Sequence, residues 1–83
     1  MTIEKLFDEF MENSGFKTAN SVPGMPGKIV FNEKECFMAE VKSRSYRIRD
    51  CEVEKAKLLK KLWNIETRFY RYADGKFILE KRI

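Results

Sequence analysis

A chain of 83 residues fits one small domain with one core, and a hydrophobic share of 43% with seven Phe is enough to fold it. With no His and two Cys, a structural zinc site is not expected, and Cys36 and Cys51 read as ordinary thiols. The net charge of +4 is unevenly spread: residues 1–40 hold four basic and seven acidic side chains, residues 41–83 thirteen basic and six acidic. The C-terminal half is therefore the electropositive one, which suits a polyanion such as nucleic acid. The apolar runs fall far short of the ~20 residues that cross a bilayer, and no stretch reads as a signal peptide. An intracellular protein without membrane contact is the expectation, and so small a core favours a stabilising device such as a dimer interface.

Ile3, Leu6, Phe7, Phe10 and Met11 repeat at the spacing of an amphipathic helix, with Thr2 placed to cap its start and Gly15 to stop it. Glu4 projects from the margin of this stripe, while Asp8, one turn on, is expected to face more outward. Phe16 to Val22 reads as a short strand. Pro23-Gly24-Met25-Pro26-Gly27 is a loop without helix potential. Lys28-Ile29-Val30-Phe31 is the next strand, Asn32-Glu33-Lys34-Glu35 a polar turn, and Phe37-Met38-Ala39-Glu40-Val41-Lys42 the strand after it.

Lys42 to Arg49 interleaves Arg44, Arg47 and Arg49 with Ser43, Ser45 and Tyr46, a mixture suited to phosphate contacts. Asp50 is expected to cap a helix ending near Trp63 or Asn64, with Glu52 in its first turn. Val53, Ala56, Leu59, Leu62 and Trp63 would form its inner face, and Lys55, Lys57, Lys60 and Lys61 the rest. Ile65 to Tyr72 is a further strand, Ala73-Asp74-Gly75 a hairpin turn, and Lys76 to Ile83 an edge strand. The order α-β-β-β-α-β-β predicts an α+β domain around a mixed sheet.

The strand of Glu40 carries the chemistry. Phe37, Ala39 and Val41 share one face; Met38, Glu40 and Lys42 share the other. An acid and an amine side by side on an apolar strand are either a solvated pair at a sheet edge or a site where Glu40 holds a divalent ion and Lys42 faces a phosphate. If the hairpin turns over Glu33-Lys34, Gly27 lies opposite Glu40. Glu33 and Glu35 then sit at the far end, roughly 15–20 Å away at ~3.3 Å per residue.

These residues and this order resemble the PD-(D/E)xK nuclease superfamily, and within it the small archaeal-type Holliday junction resolvases. The resemblance spans nearly the whole chain as a single domain, 1–83. It runs from the helix of Glu4 through Gly15-Phe16, Pro26-Gly27-Lys28-Ile29-Val30 and Glu40-Val41-Lys42-Ser43 to the last two strands. It implies a minimal restriction-endonuclease-like fold of three-layer type and a homodimer. It also implies a metal-dependent endodeoxyribonuclease for branched or structured DNA, with no small-molecule cofactor. Glu4 and Glu40 would hold Mg²⁺ or Mn²⁺, Lys42 would sit at the scissile phosphate, and Arg44, Arg47, Arg49, Lys55 and Lys60 would contact the backbone. The chain departs from the family pattern in two places. Pro26-Gly27 stands where the family has Pro-Asp, and Asn20 where an arginine follows Gly-Phe. The alternative is a catalytically inactive DNA-binding module on the same fold; a third is a structural domain with a solvated Glu40–Lys42 pair.

Overall fold

A computed structural model describes residues 1–83. Helix α1 spans Ile3–Asn13, and the Thr2 side chain accepts a hydrogen bond from the Lys5 N–H at 3.3 Å, closing its first turn. Phe7 and Met11 are its buried residues. Gly15 ends it at φ +88°, a left-handed conformation that an L side chain resists.

Five strands follow the expected order: β1 Lys17–Asn20, β2 Lys28–Phe31, β3 Cys36–Ser43, and, after helix α2 at Asp50–Trp63, β4 Thr67–Ala73 and β5 Lys76–Arg82. They form one sheet in the order β1-β2-β3-β4-β5. Only β3 and β4 run parallel, joined by the crossover through α2; the other pairs are antiparallel. The first strand is shorter than the predicted Phe16 to Val22. The β2–β3 hairpin turns where predicted: the Asn32 side-chain oxygen accepts from the Lys34 and Glu35 N–H groups at 2.8 and 2.9 Å. Asp74 and Gly75, at φ +53° and +74°, make the tight β4–β5 turn.

The core lies between α1 and the sheet, where Phe7, Met11, Val30, Phe37, Ala39 and Tyr70 pack together. Phe7 is its centre, wholly buried, with its ring 5.1 Å from Tyr70 and 5.4 Å from Phe77. Truncating it to Ala removes roughly 3–5 kcal/mol.

On the other side, α2 buries only Ala56 and Leu59. Leu62 and Trp63, expected on its inner face, are 65% and 66% exposed. The apolar stripe is as long as the sequence implies, but only its middle rests on the sheet. Asp50 is the first helical residue rather than the cap. Arg49 takes the cap position, and its N–H donates to Glu52 Oε1 at 2.8 Å.

Candidate nucleic-acid site

β3 outlasts its neighbour. Its pairing with β2 runs from Phe31↔Cys36 to Lys28↔Ala39, whereas its pairing with β4 continues to Ser43. From Glu40 onward β3 is therefore covered on the β4 side and open on the other. A pocket of about 340 Å³ fills the opening, and Glu4, Gly27, Lys28, Glu40, Lys42 and Tyr46 are among its walls. The acid predicted on the first helix and the acid–amine pair predicted on the strand thus line one cavity. Gly27 lies beside Glu40, as the hairpin register requires.

Glu40 is half-buried, and its Oε2 accepts from the Gly27 N–H at 3.1 Å. Burial pushes its carboxyl above the usual carboxylate value; the Gly27 N–H and the Lys42 ammonium oppose that rise, and the nearby Glu52 charge adds to it. Lys42 does not stand open to a phosphate. Its Nζ meets Glu52 Oε2 at 2.5 Å, with the two side chains 13% and 11% exposed. Partial burial works against ionisation of Glu52, but the Lys42 ammonium and the Arg49 N–H outweigh it and hold the carboxyl below its usual value. Glu40, Glu52, Arg49 and Lys55 line a second, smaller cavity of about 190 Å³ on the α2 side.

Glu52 is the site residue that the sequence reading missed. It reads there only as an acid in a helix's first turn; its meeting with Lys42 depends on how the intervening loop brings α2 back over β3.

No three His, Cys, Asp or Glu side chains come together in a group able to hold a metal ion. Glu4 is exposed, one oxygen of Glu40 is engaged by a backbone N–H, and Glu52 is engaged by Lys42. This donor set does not fit a firmly held divalent ion. The space for a further acid exists all the same. A Cβ added at Gly27 would meet no atom within 4 Å, and the backbone there is not left-handed.

Asp8 does not face outward. It accepts from Lys28 Nζ at 3.2 Å and from Thr18 Oγ1 at 2.9 Å, and Lys28 Nζ also donates to Asn20 Oδ1 at 2.8 Å. Lys28 is buried, and its ammonium is shared between Asp8 and Asn20; with the Thr18–Asp8 bond these ties moor α1 to β1 and β2.

Arg44, Arg47, Arg49, Lys55 and Lys60 are all exposed. Arg44 makes only a loose contact with Asp74 at 3.8 Å, so its charge is available to a partner. Glu35, at the opposite end of the hairpin, pairs with Arg68 at 3.0 Å. No helix is long and apolar enough to cross a membrane.

No family model matches the chain, and no curated protein matches its sequence. Its fold is similar to that of a solved structure, the 1.6 Å structure of Archaeoglobus fulgidus Hjc, a Holliday junction resolvase from an archaeal hyperthermophile. The TM-score is 0.71 at 17% identity, over 94% of this chain and 82% of that one. At that identity the likeness establishes the shared α+β fold, the one the resemblance implied.

Proposed function

We propose that this chain binds branched or structured DNA as a resolvase-like protein whose cleavage centre lacks one acid. The observation that carries the reading is Gly27: its N–H rests on the Glu40 carboxylate at 3.1 Å, at the position where the resemblance places an aspartate. Glu40 and Lys42 are what remains of an endodeoxyribonuclease site. Arg44, Arg47, Arg49 and Lys55 surround it or approach it from the loop and the start of α2, and Lys60 extends the positive surface along the helix. Their contacts are to the phosphate backbone, so affinity falls steeply with salt.

The enzyme form of this reading, with Mg²⁺ or Mn²⁺ between Glu4 and Glu40, asks more carboxylates of the pocket than it offers. A second copy of the chain completes the binding unit. The exposed Leu58, Leu62 and Trp63 give α2 an apolar face for it, and sedimentation as a monomer at micromolar concentration counts against that assembly.

The test compares wild type with Gly27→Asp on a four-way junction in Mg²⁺ or Mn²⁺. The expected result is salt-sensitive binding by both and cutting by Gly27→Asp alone. Cutting by the wild type restores the enzyme reading. Failure of both to bind overturns the proposal.

A further inference from the structure

We infer that Arg71 is the positioning residue that shapes the loop between β3 and α2 and so aims Arg44 and Arg47 at the nucleic acid. The aim, though not the shaping, rests on the DNA reading above.

Arg71 lies on β4, and its guanidinium is satisfied on both sides. Nε and Nη2 grip the two carboxylate oxygens of Glu80 on β5, at 2.5 and 3.1 Å. Nη1 points the other way, donating to the carbonyl oxygens of Ser43 at 3.0 Å and Tyr46 at 2.6 Å. The Ser43 carbonyl also accepts from the Tyr46 N–H at 3.0 Å, closing a four-residue turn over Arg44 and Ser45. One side chain thus ties the last pair of strands to both ends of that turn.

The loop needs such a tie. The turn Ser43-Arg44-Ser45-Tyr46 has only serines, the weakest of the residues that hold a turn by themselves, and no Gly, Pro, Asn or Asp. Arg44, Arg47 and Arg49 carry like charges, which give the segment no attraction of its own. Between Ser43 and α2 only Ile48 is partly buried, so there is little apolar anchorage. Glu80 fixes the plane of the guanidinium and offsets its charge within this basic surround. A lysine at this position keeps the charge but has no planar fork to engage a carboxylate and two carbonyls at once.

The experiment uses the full chain as wild type, Arg71→Lys and Glu80→Gln. Hydrogen exchange follows the Tyr46 amide without DNA, and the salt dependence of binding is measured on a labelled four-way junction. In Arg71→Lys the Tyr46 amide is expected to lose protection by about tenfold or more. Its binding slope against salt is expected to fall by roughly two phosphate contacts, although net charge is unchanged. Glu80→Gln, which keeps Arg71 but loosens its grip, shows the same changes at smaller size and carries the test if Arg71→Lys does not fold. Wild-type protection of Tyr46 in the folded variants overturns the assignment. An unchanged salt slope with lost protection overturns the aiming role. If the wild type does not bind the junction, the DNA reading and with it the aiming role fall, while loss of Tyr46 protection still supports the shaping role.

Discussion

Lys42 on the middle strand and Glu52 on the second helix meet at 2.5 Å, and both are largely shut off from water. Removing either partner leaves the other poorly solvated. Each single change, Lys42→Met or Glu52→Gln, is therefore expected to cost about 1–3 kcal/mol in urea unfolding, with the double variant costing less than the sum. Glu52→Gln also releases the Lys42 ammonium. Its affinity for DNA should rise, and the gain should vanish when Lys42 is changed as well. Equal, additive losses would show that the two charges are independent.

Gly27→Asp sets a carboxylate next to Glu40 in open space. Without metal this variant should melt below the wild type, because the two acids repel. Mn²⁺ at about a hundredfold its Kd should then return about 2.7 kcal/mol to the variant and leave the wild type unmoved. Identical thermal shifts in both proteins would mean that the added acid does not reach the ion.

Glu40 should be a stability defect at neutral pH. Burial raises its folded pKa above the usual 4.5, so its contribution is present below that value and lost as pH rises through the folded one. Glu40→Gln removes the penalty and keeps an oxygen for the Gly27 N–H. Its melting temperature should exceed the wild type's at neutral pH, and the difference should close in acid. No difference at neutral pH would show that the carboxylate is adequately solvated.

Acid should unfold the protein through its salt-bridged carboxylates. The Arg82 guanidinium, at 2.6 Å, helped by Arg68 at 2.7 Å, pulls the Glu66 carboxyl from 4.5 down to about 2. Glu80 is lowered in the same way by Arg71. A depressed acid stabilises the fold above its unfolded value and loses that effect as pH falls through the folded one. Melting temperature should therefore decline between about pH 4.5 and pH 2, and more gently in Glu66→Gln. Parallel curves would remove Glu66 from the account.

The sequence disclosed the elements that obey a local period. Alternation along Phe37–Lys42 and a polar turn at Glu33-Lys34 were sufficient to set the hairpin register, because a slip by one residue would turn Glu40 into the core. It did not disclose how far α2 rests on the sheet. Leu62 and Trp63 continue the same stripe as Leu59, and nothing in a helical period reveals where the supporting surface ends. Nor did it disclose the partners of Lys42 and Asp8, or all those of Arg71. The first two pairings join elements whose packing no local spacing reveals; Glu80 follows from the register that the Asp74-Gly75 turn sets, but the Ser43 and Tyr46 carbonyls on Arg71 do not.

The ties from Asp8 to Lys28 and Thr18 bind the helix that carries Glu4 to the sheet that carries Glu40. Lys28 makes the coupling direct: its side chain holds Asp8 of the first helix, and its backbone pairs with Ala39, the residue before Glu40. Replacing Lys28 loosens one of the ties between those two elements, so the breadth of the cleft is governed in part by a wall residue that pairs with neither acid.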